Sequence, residues 1–365
     1  MAQSSNDVKL TFDNKAIVGW DSVRITRGIE RCPNDFGLSL TQRVGEDLST
    51  VDVRPGTPCK LYIGDALVIT GYVDRYTPSI TETTHSIKIT GRGKCQDLVD
   101  CSAIYEQGAF INMTLPQIAA ALAKKFDIGL NWTSGLDEVL PSAALMYGET
   151  PMQIIDRIAK YEKVLVYESE NGDLNLLRTY LGKMGTGFKE GVNVQAASIE
   201  YSMDGRYSEY RGFYQPIDTF GDVPGHFASM NASDPVKDPG VPRYRPRILI
   251  AEHGDALQRV LRDRMLWECN RRIGRSSILR VTTDSWRDGN GRLWAPNFSV
   301  PLHLPRLHIS SADWLIGEVT YLIDNTGGTR AELTIMPPGA YAVVPTVYVP
   351  TQLTDWKQPD PPKVK

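Results

Sequence analysis

Ser22-Val23-Arg24-Ile25 and Phe36-Gly37-Leu38-Ser39-Leu40 decide the fold, because in both runs the apolar residues fall at every second position. The same period continues through Cys59, Leu61 and Ile63 and through Ile87 and Ile89. A period of two puts alternate side chains on opposite faces of an extended chain, so these runs predict half-buried antiparallel strands. Turn chemistry separates them. Asp13-Asn14, Pro55-Gly56 and Gly64-Asp65 fall between the runs, and the last is flanked closely enough for a tight hairpin. About seven short strands are expected between Val8 and Thr90, enough for a small barrel or sandwich over residues 1–100.

The pattern turns helical at Thr114, where Ile118, Ala119, Leu122, Ala123 and Phe126 recur at helix spacing. Thr114-Leu115-Pro116-Gln117 is a capping box, in which threonine and glutamine each cover an orphan amide. Thr150-Pro151-Met152-Gln153 repeats the signal ahead of Ile154, Ile155, Ile158 and Ala159, with proline at the favoured first position. A hairpin follows, Val164 to Glu168 and Leu174 to Arg178 around Asn171-Gly172-Asp173. Residues 101–195 therefore read as a small α/β module, an α+β insert built from one duplicated unit. Its helices are similar to the start of peptidoglycan-binding LysM units, but two capped amphipathic helices need no ligand to explain them.

Alternation returns at Ile199, Tyr201 and Met203 and resumes in Leu279 and Val281, in Phe298 to Leu304, in Val319, Tyr321 and Ile323, and in Leu333 and Ile335. Residues 196–340 are thus a second β-rich domain. Within it, residues 214–246 hold six prolines and three glycines, the composition of a long exposed loop. Residues 255–273 form the longest expected helix, with Leu257, Leu261, Met265, Cys269 and Ile273 inward and Gly274 as its end. The chain is mainly β, two β domains flanking an α/β insert, and residues 341–365 read as a Pro-rich extended tail.

A chain of 365 residues can bury a core without staples. Its 41% hydrophobic and 23% charged residues exclude collagenous and wholly disordered chains, while 31 glycines and 23 prolines favour many turns. A net charge of −3 argues against a surface given over to gripping a phosphate backbone. The five cysteines, at 32, 59, 95, 101 and 269, form no C-x-x-C pair, which predicts reduced or buried thiols. Cys95 and Cys101 are the nearest pair should one disulfide form. Met1 to Leu10 has no basic start followed by an apolar run, so no secretory signal is expected. The charge-free stretch from Met336 to Thr354 is broken by Pro337, Pro338, Pro345 and Pro350, so neither a spanning helix nor membrane insertion is expected.

Catalytic motifs are missing. There is no G-x-S-x-G and no H-E-x-x-H, and Gly91-Arg92-Gly93-Lys94-Cys95 lacks the spacing and the final Ser/Thr of a phosphate loop. His303 and His308 point to different faces and are read as structural. No catalytic residue, metal or cofactor is expected. Two arginine sets are the interface candidates. Arg259, Arg262, Arg271 and Arg272 lie on the long helix among Asp255, Asp263 and Glu268, and Arg24, Arg27 and Arg31 straddle the strand beginning at Val23. Each reads either as a solvated, ion-paired face or as a partner contact, since arginine forks suit carboxylates at interfaces. Trp286 and Trp294 bracket an Asn290-Gly291 turn and are expected in the core.

The run Gly19-Trp20-Asp21-Ser22-Val23-Arg24-Ile25-Thr26-Arg27-Gly28-Ile29-Glu30-Arg31, with Phe36 following, resembles the opening of the Mu-type phage tail proteins, which form the baseplate hub of contractile-tailed phages. Thr150-Pro151, Asn270-Arg271-Arg272, Ser285-Trp286-Arg287-Asp288, Gly291, Leu293-Trp294 and Pro296-Asn297 resemble the same family in the same order. The resemblance implies two tail-tube-like β-barrel domains per chain and a homotrimeric ring, which adapts a six-fold tail tube to a three-fold central spike. It implies as partners the tube protein, the spike, the tape measure protein and other baseplate proteins, in a virion assembled in the host cytoplasm. Tape measure and DNA would pass through the channel without specific binding, with the arginines of the long helix facing protein partners rather than the bore. No enzymatic activity is implied. Alternatives are the hub of a tailocin or a type VI-like injection particle, or, from another class, a cell-wall-binding or muralytic tail protein.

Overall fold

The computed structural model describes residues 6–13, 15–43, 53–133, 135–136, 139–178, 180–214, 231–232, 234–251 and 257–341. The first β region contains β1 (Val8–Phe12), β2 (Lys15–Ile17), β3 (Ser22–Gly28), β4 (Asp35–Arg43), β5 (Pro58–Ile63), β6 (Ala66–Ile80) and β7 (Thr84–Gly93). The alternation does what its period requires: Val23, Ile25, Phe36, Leu38, Leu61, Ile63, Ile87 and Ile89 are all buried. Gly64-Asp65 makes the expected tight hairpin, pairing Ile63 with Ala66. The strands are not all short, since β6 has 15 residues and β7 has 10.

The middle region runs α1 (Gln96–Asp100), β8 (Ala109–Thr114), α2 (Leu115–Ala123), β9 (Leu130–Trp132), β10 (Val139–Ala144), α3 (Pro151–Glu162), β11 (Leu165–Glu168) and β12 (Leu174–Leu177). Both capping boxes are closed: Thr114 accepts from the Gln117 amide and Thr150 from that of Gln153, while each glutamine reaches back to its cap. α2 and α3 bury Ile118, Leu122, Ile154, Ile155 and Ile158 in a core of their own, which also holds Cys95 and Phe110. The hairpin β11–β12 forms as expected.

Then follow β13 (Gly182–Lys183), β14 (Phe188–Lys189), β15 (Ala196–Tyr201), β16 (Glu209–Tyr214), β17 (Asn231–Ala232), β18 (Val236–Lys237), β19 (Pro246–Ala251), α4 (Leu257–Arg275), β20 (Ser277–Thr283), β21 (Phe298–Leu304), β22 (Ile309–Asp324) and β23 (Gly328–Met336). Among the described residues the two β regions form no separate closed barrels. One 14-stranded sheet runs β15-β20-β23-β22-β3-β4-β7-β6-β5-β1-β2, with β21 branching from β22 and carrying β13 and β14, and among the described residues it does not close on itself. Closing the first region would require β3 to pair with the far end of its own sheet. Its second edge instead bonds β22, from Gly28 opposite Glu318 to Val23 opposite Ile323. One hydrophobic core therefore serves both regions, from Val8 to Ile335, with Trp286 and Trp294 inside it as expected.

β22 is the shared strand, pairing β21 through its first half and β3 through its second. The register against β23 slips between Ile316 and Glu318. Gly317 sits at that bulge, where a Cβ would lie 1.9 Å from the Tyr341 hydroxyl and its own carbonyl accepts the Ile29 amide at 2.8 Å. Only glycine fits so close an approach.

Two further expectations are corrected. α4 does not end at Gly274 but continues to Arg275, because Gly274 is a packing contact: its Cβ would stand 2.0 Å from the Ala340 amide nitrogen. The stretch 214–246 is not simply exposed loop. β16, β17, β18 and β19 form a small sheet, Asp238 and Val241 are buried, and Tyr210, Leu249, Met265 and Cys269 make its core against α4. The cysteines agree with the expectation of reduced thiols: all five are free, with Cys95 buried and Cys101 exposed. Residues 215–230, Asp255 and the tail 342–365 lie outside the described residues.

Candidate assembly surfaces and the junction between lobes

The β11–β12 hairpin carries the middle lobe into the shared sheet. Glu168 ends the apolar run of β11 and is buried, with one carboxylate oxygen accepting the Asn34 amide and the other the Cys95 amide, both at 2.8 Å. Burial outweighs these two donors and pushes its pKa up to about 7. One residue earlier, the Tyr167 hydroxyl accepts from Asn297 Nδ2 at 2.8 Å, reaching the segment before β21. Around these contacts Ile29, Leu165, Tyr167, Leu177, Leu315, Ala340 and Tyr341 form an apolar plug drawn from all three regions.

The nominated arginines meet different fates. Arg27 is a correction: it is not on the surface but 5% exposed, bonded to Glu170 of the hairpin. Burial opposes its charge, yet Glu170 and the neighbouring Tyr321 hold the guanidinium protonated. Its inward place was legible, because Arg27 shares the phase of Val23 and Ile25 along β3. Arg31 binds Asp35 and, at 3.2 Å, Glu318 of β22. Arg271 and Arg275 both bind Glu30, tying α4 to the segment after β3, and Arg271 also lies 4.9 Å from the Trp267 ring centre. Arg272 is spent on Glu268, the Gly205 carbonyl and the Tyr207 ring. The structure thus turns two of the long helix's four expected contact residues, Arg271 and Arg272, toward partners within the chain. Arg262 is exposed on α4 and Arg24 is half-exposed beside Asp35 at 2.9 Å; Arg259 lies in α4.

Sequence reasoning missed Glu168, Glu30 and Glu170, the carboxylates that receive these contacts. A charge closing an otherwise apolar strand was the available signal for Glu168; nothing local marks the other two. His303 Nδ1 donates to the Ser310 carbonyl, 2.6 Å away, across the β21–β22 turn. Among the described residues no group of three His, Cys, Asp or Glu side chains is placed to hold a metal ion, and no helix is long and apolar enough to cross a membrane. Large apolar side chains do face solvent: Ile111, Met146 and Tyr147 on the middle lobe, and Tyr244, Ile248 and Ile250 on the small sheet.

A wide β body whose polar clusters brace its own lobes, and whose exposed faces carry apolar side chains, has the build of a structural assembly protein. Comparison with known proteins gives the family. Residues 7–93 match the family described as Mu phage baseplate assembly protein GpP-like, N-terminal; residues 95–178 match the second domain of baseplate hub protein gp44-like chains; residues 258–344 match the fourth domain of Mu phage baseplate assembly protein GpP. The chain is 30% identical over 351 residues to baseplate hub protein gp44 of Escherichia phage Mu, spanning 93% of this chain and 90% of that one. The 43 kDa tail protein of prophage MuSo2 from Shewanella oneidensis has a similar structure, with TM-score 0.81 and 30% identity over 93% of this chain and all of that one. An E. coli protein described as a component of the type VI secretion system shares the fold, with TM-score 0.56 and 12% identity over 90% of this chain and 76% of that one. The chain belongs to the baseplate hub protein family of Mu-like phages.

Proposed function

We propose that three copies of this chain close into a ring that joins a six-fold tail tube to a three-fold central spike. Each copy would present its two β regions side by side, giving six similar units toward the tube and three identical chains toward the spike. The single observation that carries this reading is the β3–β22 pairing. It fuses the two regions into one sheet with one core, so the spacing between them is fixed and a ring built from them would keep its symmetry under load. The ring would enclose the passage for tape measure and DNA, with tube, spike and other baseplate proteins as partners, in a virion assembled in the host cytoplasm. It performs no catalysis. Arg262, exposed on α4, would face a protein partner rather than the bore, whereas Arg271, Arg272 and Arg275 hold carboxylates or carbonyls of their own chain.

Light scattering on the purified chain, alone and with tube and spike proteins, tests the ring. The expected mass is that of three 40.6 kDa chains, with a three-fold annulus in end-on electron micrographs. A chain that stays monomeric under all three conditions refutes it. The likeness to the type VI component favours a second setting, an injection particle without a capsid. Capsid genes beside this one decide for the phage.

A further inference from the structure

The outer face of the first β region is not flat. Ser22, Arg24, Asp35, Gly37, Ser39, Asp74, Arg75, Lys88, Thr90 and Arg92 line a groove of about 910 Å³ over β3, β4, β7 and β6. The strand register explains its shape. Arg24 stands opposite Gly37, Gly37 opposite Thr90, and Thr90 opposite Arg75, so one row across four strands has an arginine at each end and small residues between. The next row along reads Ser22, Ser39, Lys88 and Thr77. At Asp74 the register of β6 against β7 slips by one residue, and this bulge is what brings both Asp74 and Arg75 into the groove.

The charges are unevenly satisfied. Asp35 is taken by Arg24 and Arg31, and Asp74 by Arg92, which also holds Asp100. Arg75 and Lys88 are exposed and have no ion-pair partner among the described residues. The groove is therefore a cationic site on a chain whose net charge is −3. We propose that it is a docking groove for an extended, acidic segment of a partner polypeptide.

Two features favour polypeptide over nucleic acid. Three strand spacings separate the α-carbons of Arg24 and Arg75, about 14 Å, which seats one extended chain with its side chains. A duplex, whose major groove alone is about 12 Å wide, does not fit between them. A single strand would need aromatic faces to stack on, and the aromatic residue of the lining, Phe36, is 2% exposed and turned into the core. Carboxylates reaching Arg75 and Lys88 across a floor of Gly37, Ser39 and Thr90 meet both requirements. The proposal needs neither a ring nor a spike.

Fluorescence anisotropy with a labelled ten-residue glutamate peptide and the full chain is the test. Saturable binding is expected at low ionic strength, weakening with added salt. The Arg75→Glu/Lys88→Glu variant should bind about tenfold more weakly. A Lys160→Glu/Lys183→Glu variant, with the same change in net charge elsewhere, should bind as the parent does. Gly37→Phe tests the floor without altering charge: a Cβ there meets only the Thr90 methyl at 3.7 Å, so the strand accepts the ring while the groove fills. Its affinity should also fall. Circular dichroism checks that each variant is folded. The proposal is overturned by absence of saturable binding, by equal loss in the two charge variants, by full affinity in Gly37→Phe, or by a ten-nucleotide thymidine strand binding more tightly than the peptide at the same residues.

Discussion

Glu168 offers the sharpest perturbation, because burial and hydrogen bonding pull its carboxyl in opposite directions. Two backbone amides at 2.8 Å favour the anion, yet burial wins and raises the pKa from 4.5 to about 7. A carboxyl whose folded pKa lies above its unfolded one holds its proton longer in the folded state. Its contribution to stability is therefore full below pH 4.5 and is lost as pH rises through about 7. The interval corresponds to about 3 kcal/mol, a large share of the stability of any domain. Glu168→Gln has nearly the same shape and cannot ionise. Urea unfolding of parent and variant across the range from about pH 4.5 to 9 isolates the effect, since every other titrating group is common to both. The parent should lose about 3 kcal/mol relative to the variant as pH rises, with the change centred between the two pKa values and flat above them. A difference that stays constant, or that moves in the parent's favour at high pH, refutes the reasoning: the amide donors would then outweigh burial.

Gly274→Ala should destabilise the chain by about 1–3 kcal/mol in the same assay, although alanine is the better helix former by about 1 kcal/mol, because the new methyl meets the backbone at Ala340. A gain in stability would show that the contact yields. Asp238→Ala strands Arg206, which is 3% exposed and held by both carboxylate oxygens at 2.7 and 2.8 Å. The expected cost is about 3–5 kcal/mol, and hydrogen exchange should rise first in β16, β18 and β19; a loss below about 1 kcal/mol contradicts the pairing. Under native conditions a disulfide reagent should label exposed Cys101 first, whereas Cys59 and Cys269, buried and with thiol pKa pushed up to about 12, should react only after unfolding. Mass mapping that finds Cys59 labelled in the folded chain would overturn that order.

Local periodicity and local hydrogen bonding are the part of this fold that can be read along the chain. The inward phase of Val23 and Ile25, of Phe36 and Leu38 and of Leu61 and Ile63 follows from a period of two. The starts of α2 and α3 follow from threonine and glutamine three residues apart. Both signals act over a few residues, so they read correctly without knowledge of the rest. The edge that β3 offers to β22 carries no such mark, because backbone amides are alike in every strand and Thr26 meets Thr320 across 294 residues of chain. Only tertiary structure joined the two β regions through β3 and β22 into a continuous sheet. It likewise decided that Glu170 is the carboxylate that receives Arg27, that Gly274 is a contact rather than an end, and that Glu30 gathers Arg271 and Arg275. Charges of one type at similar spacing look alike along the chain; which of them meets a carboxylate depends on which lobe packs above it.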